Sequence, residues 1–353
     1  MLTKRKKYFF VVLTLLVSIL LTDIGAQTIY YIYRGRPTWK KATEIFNASG
    51  ITYQTNDERY ISLKQNHISE DNEHGYTWII STDEYGFRIG KQKPSEISNI
   101  VFLGDSVPFG YGVNSEDSVP SILHEILLNK GIDIGIINAA IPSYSLDQSV
   151  HRYKYEIVNK FPSNVIILQI FDPASQLSLL GKKWDVSLNS ATLPAWHASY
   201  NSSIYNSNIC DYSAICYLLR RYFGKTKEDT IEPLNIDDEM TISNYKTSIK
   251  KSLDILNQTA VDTEIFLLLP VTVSKKSWAK ASKEGKKTIS VLNSVLKEYA
   301  DSNEKIVFVD TIALFKNHAD KKIFIDSCHL SSFGAKLQAE LIAQELFNNN
   351  LSL

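Results

Sequence analysis

From Asn99 onward the chain alternates short, wholly apolar runs with longer amphipathic ones, and that alternation confines it to few architectures. The first run, Ile100-Val101-Phe102-Leu103, is apolar at every position, as a strand covered on both faces must be. After it, Ser118 stands where a helix cap belongs and Pro120 in the first turn. Ile122, Leu123, Ile126 and Leu127 form one stripe, and Gly131 ends the pattern. Further strands are expected at Ile134 to Ile137, Val165 to Phe171, Ile265 to Leu269 and Ile306 to Val309, with helices at about 145–159, 241–257, 284–300 and 332–348. Strands that alternate with helices build a parallel sheet packed on both faces. The expected fold is therefore α/β, a three-layer α/β/α sandwich around a mainly parallel five-stranded sheet of flavodoxin-like type.

Before this region lies a different texture. Lys4, Arg5, Lys6 and Lys7 precede an apolar run from Tyr8 to Leu21, and Ile24 to Ala26 with Ile29 to Tyr33 extend it to the ~20 residues a bilayer requires. Asp23 alone interrupts it. A buried soluble helix would be apolar on one stripe rather than all round. A cleaved signal peptide would want small residues one and three positions before the cut, which Ile24 and Ala26 beside Asp23 supply poorly. The reading is an uncleaved signal anchor: residues 1–7 a cytoplasmic basic tail, 8–33 the span, and everything after it extracytoplasmic. Residues 34–98 read as a polar, irregular lead-in or cap, and 99–350 as the α/β domain. Within that domain, about 174–239 form a long Ser, Asn and Tyr-rich insert with Trp184, Trp196, Tyr200, Tyr205 and Tyr217. Such an insert serves either as a lid over a site or as a structural excursion with its own aromatic core.

Charge excludes some functions. Lys plus Arg and Asp plus Glu are both 38, so no net charge draws the whole chain onto nucleic acid. The three cysteines, Cys210, Cys216 and Cys328, make neither a disulfide framework nor a paired zinc spacing. Cys210 and Cys216 could bridge in an oxidising compartment or remain two buried thiols. His67, His74, His124, His151, His197 and His318 show no ligand spacing, and no metal or other cofactor is expected.

Two short blocks carry chemistry. Gly104-Asp105-Ser106 follows the first strand directly, which puts a serine at the carboxyl edge of the sheet, where open α/β folds bind ligands. Gly-Asp-Ser also occurs in ordinary turns. The second block, Asp326-Ser-Cys-His329, precedes the last amphipathic helix. A serine hydroxyl near neutral pH needs an imidazole to take its proton, and that imidazole needs a carboxylate to hold its tautomer. Asp-x-x-His could also be a helix cap with a surface histidine. The two blocks in this order, each at a loop on the carboxyl side of a strand, favour nucleophile, base and orienting acid.

On these blocks the chain resembles the SGNH hydrolase superfamily, the GDSL esterases and lipases, over roughly Asn99 to Phe347. The resemblance implies Ser106 as nucleophile with Asp326 and His329 as the other triad members. Asp83-Glu-Tyr-Gly-Phe-Arg88 is similar to a segment ahead of the nucleophile block in membrane-anchored bacterial members. It further implies an oxyanion hole of Ser106, Ser143 and Asp172, the latter two standing where the family has a glycine and an asparagine. A backbone N–H survives at Ser143, whereas an ionised Asp172 can only accept hydrogen bonds. The expected activity is a serine esterase acting on an extracytoplasmic glycan O-acetyl or lipid ester. A polysaccharide O-acetyltransferase using the same triad, and a degenerate domain that binds a glycan or protein partner, are the alternatives.

Overall fold

The computed structural model describes residues 4–34, 52–54, 61–71, 77–142, 144–170, 213, 215, 239–281, 283–318 and 322–349. Two compact units make up the chain, one of Met1–Ala48 with Trp196–Ile231, the other of Ser49–Ala195 with Glu232–Leu353.

In the first unit, helix α1 spans Lys4–Arg34, and its stretch Phe10–Ile29, 20 residues, is long and apolar enough to cross a membrane. Its threonine hydroxyls are satisfied within the helix. Thr14, Thr22 and Thr28 each donate to the carbonyl four residues back, at 2.8, 2.8 and 2.9 Å, as polar groups in an apolar span must find partners close by. Asp23, the one acid in the run, accepts from the Ser213 hydroxyl at 2.8 Å and the Ile215 N–H at 2.9 Å.

The second unit is built on an eight-stranded sheet. Preceding it is a two-stranded antiparallel pair, β1 (Thr52–Gln54) with β2 (Ile61–Leu63). The sheet strands are β3 (Ile68–Asp71), β4 (Trp78–Thr82), β5 (Arg88–Ile89), β6 (Asn99–Gly104), β7 (Gly135–Asn138), β8 (Ser163–Gln169), β9 (Ile265–Leu269) and β10 (Ile306–Phe308). Their order is β10-β9-β8-β6-β7-β5-β4-β3. The five strands from β6 to β10 run parallel, as the apolar runs predict, and β5, β4 and β3 continue the sheet antiparallel beyond β7.

The sheet is thus three strands wider than the expected five, and the addition comes from the stretch read as irregular lead-in. Those strands are two to five residues long, too short to stand out by periodicity. Only the alternation of β4, with Trp78, Ile80 and Thr82 buried and Ile79 exposed, marks them.

Alternation along the central strands divides the core in two, which is the three-layer arrangement in physical terms. Val101, Leu103, Ile137, Ile166, Leu168, Phe266 and Leu268 face one layer. That layer comprises α4 (Leu146–Arg152), α5 (Glu239–Thr259) and, beyond the short α6 (Lys275–Lys280), α7 (Lys283–Asp301). Ile100, Phe102, Ile136, Val165, Ile167, Ile265 and Leu267 face the other. There α3 (Val119–Leu128) and α9 (Ser332–Asn348) pack through Leu123, Leu127, Ala339, Ile342 and Leu346. Each fully buried leucine or isoleucine among them contributes about 1.5–3 kcal/mol. Two local expectations change. Ser118 sits at the N-cap of α3 without capping it, because its hydroxyl donates to the Ser115 carbonyl at 2.7 Å. The helix expected over 145–159 is α4 followed by a π-helical turn, Tyr153–Ile157.

Strand order also locates a crevice. The chain runs from β6 to β7 on one side, then crosses to β8 on the other. Connections diverge at the carboxyl end of β6, and at such a switch point an open α/β sheet leaves room for a ligand.

Candidate active site

Ser106 stands at that switch point. β6 ends at Gly104, and the four-residue helix α2 (Ser106–Phe109) begins at once, with Asp105 as N-cap accepting from the Val107 N–H at 3.0 Å. Gly104 has φ 138, and a Cβ there would lie 1.8 Å from the Gln169 carbonyl oxygen of β8. Only glycine lets the chain turn this sharply against its neighbour strand.

The histidine arrives from the far end of the chain. After α8 (Thr311–Asn317), Phe324 and Leu330 form an antiparallel bridge that pinches Asp326 to His329 into a tight loop ahead of α9. Asp326 Oδ1 accepts from the N–H groups of Cys328 and His329 at 2.9 and 2.8 Å, so the carboxylate shapes the loop that carries it. Ser331 closes the loop: its hydroxyl accepts from Gly334 N–H and donates to the Lys322 carbonyl.

These elements bring Ser106, His329 and Asp326 together. His329 Nε2 lies 2.8 Å from Ser106 Oγ, and Nδ1 lies 2.6 Å from Asp326 Oδ2. With the proton on Nδ1, Nδ1–H donates to the carboxylate and Nε2 accepts from the hydroxyl. Both ring nitrogens are thereby engaged. Burial pushes the Asp326 carboxyl up, but the bond and charge of His329 with two backbone N–H groups outweigh it and hold it below the usual carboxylate range. Burial works against a charged imidazole at His329, yet the Asp326 carboxylate, with Cys328 beside it, raises it above the ordinary histidine value. Cys328 is a buried free cysteine. Asp326, Cys328 and His329 also bring their ligand-type atoms within 4.8 Å of one another, and both nitrogens of the imidazole are already engaged by Ser106 and Asp326.

Ser143 and Asp172 lie outside the described residues, as do Cys210, Cys216 and nearly all of the insert. What flanks Ser143 is described: Ile141 N–H donates to the Gly104 carbonyl at 3.1 Å, which ties the loop after β7 to the turn before Ser106.

Arg88 and Tyr111 are the residues that sequence reasoning passed over. Arg88, on β5, is fully buried and spends its donors on the loop after Ser106: Nη1 reaches the carbonyls of Phe109 and Gly110 at 2.6 and 2.5 Å, Nη2 that of Val113 at 2.6 Å. Burial pulls its guanidinium down to about 9, still charged at neutral pH. Gly110, at φ 84, leaves the space for it, since a Cβ there would come within 2.8 Å of Nη1. The loop so held presents Tyr111 to His329, ring centroids 4.8 Å apart, with Trp78 of β4 edge-on behind Tyr111 at 4.9 Å. The added strands therefore brace the histidine from behind. Arg88 itself had one visible signal, a charge inside an apolar Gly-Phe-Arg-Ile run. Replacing it by methionine, which keeps most of the volume but no donors, strands the Val113 carbonyl and leaves those of Phe109 and Gly110 with only Asn138 Nδ2 at 3.2 Å and the Val113 N–H at 3.3 Å. Arg88→Met is expected to lose about 3–5 kcal/mol of unfolding free energy in urea titrations. A loss under 1 kcal/mol would show that the loop holds itself.

No family model matches the chain, and no curated protein matches it. Among solved structures, chains similar to this one include a member of the lipolytic protein G-D-S-L family from Veillonella parvula, at 12% identity over 71% of this chain and 98% of that one, with a TM-score of 0.42. A lipase from a goat rumen metagenome is 14% identical over 70% of this chain and 96% of its own, TM-score 0.41. A catalytic mutant of an acetylxylan esterase from Geobacillus stearothermophilus is 12% identical over 73% and 96%, TM-score 0.43.

Proposed function

We propose that the chain is a membrane-anchored serine esterase of SGNH type, with Ser106 as nucleophile, His329 as general base and Asp326 as the orienting carboxylate. The observation that carries the reading is the continuous relay from Ser106 Oγ through the imidazole to Asp326, with links of 2.8 and 2.6 Å. As Oγ attacks an ester carbonyl, His329 Nε2 takes its proton and Asp326 stabilises the imidazolium. The tetrahedral oxyanion collapses, the alcohol leaves with the proton from His329, and water activated the same way resolves the acyl-enzyme. The substrate is an ester outside the cytoplasmic membrane, carried by a carbohydrate or a lipid. α1 holds the protein in the bilayer with its four basic residues inside. A panel of acetyl and longer acyl esters, assayed with wild type and Ser106→Ala, tests activity and chain length together. Hydrolysis that persists in the variant would remove the proposal.

The raised His329 fixes the sign of the pH dependence. Only the neutral imidazole can accept the serine proton, so kcat/KM rises as pH increases through its pKa. Asp326, Cys328 and Tyr111 face the ring, and with the carboxylate ionised the acid limb is expected above the ordinary value of about 6.5. A midpoint at or below that value would contradict the coupling to Asp326.

A second reading, a domain that binds its glycan or a partner without turnover, is favoured by one feature, Asp172 in place of a donor at the third oxyanion position. Loss of one such donor costs on the order of 3 kcal/mol in the transition state. Asp172→Asn is expected to preserve or raise the hydrolysis rate; a large fall would show that position 172 does something else.

A further inference from the structure

One stretch beside the site departs sharply from the chain's neutral balance. Residues 275–287, which form α6 and the start of α7, hold Lys275, Lys276, Lys280, Lys283, Lys286 and Lys287 against Glu284 alone. This excess of positive charge lies immediately next to the loop of Asp326 and His329. Ser274 N–H donates to the Ser327 carbonyl at 2.8 Å, fastening the start of α6 to the loop between Asp326 and His329. The Ser274 hydroxyl accepts from Ser277 N–H at 3.2 Å and so begins the helix there.

Trp278 follows one turn on, its N–H donating to the Ser274 carbonyl at 2.8 Å. Trp278 remains 38% exposed, and the Lys286 ammonium stands 6.0 Å from its ring centroid. Lys275 and Lys276 are exposed. A flat, electron-rich face among cations matches a ligand with C–H-lined rings and negative charges, since the quadrupole attracts the C–H edge of a sugar ring and the ammonium groups meet anions. An anionic bilayer fits less well. Insertion takes several large apolar side chains on one face, whereas Ser277, Ala279, Ala281 and Ser282 flank Trp278.

We propose that α6 and the start of α7 form a subsite for acidic sugar units, with a pyranose ring stacked on Trp278 and its carboxylate or sulfate groups met by Lys275, Lys276 and Lys286. As a statement about the substrate it rests on the esterase reading, and it narrows that reading to esters borne by an anionic polysaccharide. The charge raises the local concentration of such a polymer at the rim that carries His329.

Binding to full-length Ser106→Ala protein in phosphatidylcholine nanodiscs tests this without turnover. The probes are polygalacturonate and neutral dextran, and anionic phosphatidylglycerol vesicles in a parallel arm. Polygalacturonate is expected to bind and dextran not, with affinity falling about tenfold or more between about 50 and 200 mM salt. The added triple substitution Lys275→Ala, Lys276→Ala, Lys286→Ala should weaken binding at least about tenfold. Trp278→Ala should weaken it several-fold, and Trp278→Phe should restore most of the loss. Circular dichroism verifies that each variant is folded, and the single lysine variants stand in for a triple that is not. Equal binding of dextran, affinity indifferent to these substitutions, or capture of the vesicles but not of polygalacturonate would each overturn the subsite. The two readings fail separately, because an inactive wild type whose Ser106→Ala form binds polygalacturonate defeats only the esterase.

Discussion

Ser106→Ala is expected to lower kcat on any ester the protein hydrolyses by about 10⁴-fold or more, while leaving the unfolding transition within about 0.5 kcal/mol of wild type. Both halves follow from where the hydroxyl lies. Its bond is to His329 Nε2 at 2.8 Å, and the turn around it is held by Gly104, the Asp105 cap and the Arg88 guanidinium. Removing Oγ therefore deletes the attacking atom and leaves the scaffold intact. A substrate pocket that retains binding should show a nearly unchanged affinity for product or a slow analogue in the same variant. A residual rate within tenfold of wild type would mean that another group attacks.

Asp326→Asn is expected to cost about 10³–10⁴-fold in kcat, nearly as much, although the substituted group never touches substrate. The carboxylate accepts from Nδ1–H at 2.6 Å and from two N–H groups of its own loop. An amide can keep the loop bonds through its oxygen, but its NH₂ turned toward Nδ1 drives the ring proton to Nε2, where it faces Ser106 and blocks proton acceptance. The imidazolium formed during attack also loses its counter-charge. The acid limb of the pH profile should then move down, because the group that raised His329 is gone. Unchanged activity with a lowered limb would separate charge from tautomer and refute the orienting role.

Much of this was legible before any coordinates. The parallel core was readable because each of its strands is a continuous apolar run, and continuous runs are what a sheet covered on both faces demands. The two blocks behind the proposed relay were readable because each falls beside a strand end and together they supply a hydroxyl, an imidazole and a carboxylate. The antiparallel extension was hidden for a physical reason. Residues 68–89 pair through two to four residues at a time, a length at which, β4 apart, neither alternation nor propensity rises above composition. The role of Arg88 was hidden with them. Its role is read from three carbonyls 21 to 25 residues away, and no local pattern encodes a partner at that distance. Tyr111 lay inside the Gly110-Tyr-Gly112 turn in plain view, but its contact with His329 spans most of the chain.

The loop after Ser106, the histidine loop and the short antiparallel strands meet at one rim, and each is fastened to the next by hydrogen bonds. That arrangement makes the reactivity of a single hydroxyl the sharpest probe of the account. Full-length protein treated with a fluorophosphonate, digested and analysed by mass spectrometry should carry one adduct, on the peptide containing Ser106. The adduct should be absent from His329→Ala and slowed in Asp326→Asn. An adduct on any other serine, or equal labelling of Ser106 with and without His329, would contradict the claim that these three side chains form a working relay.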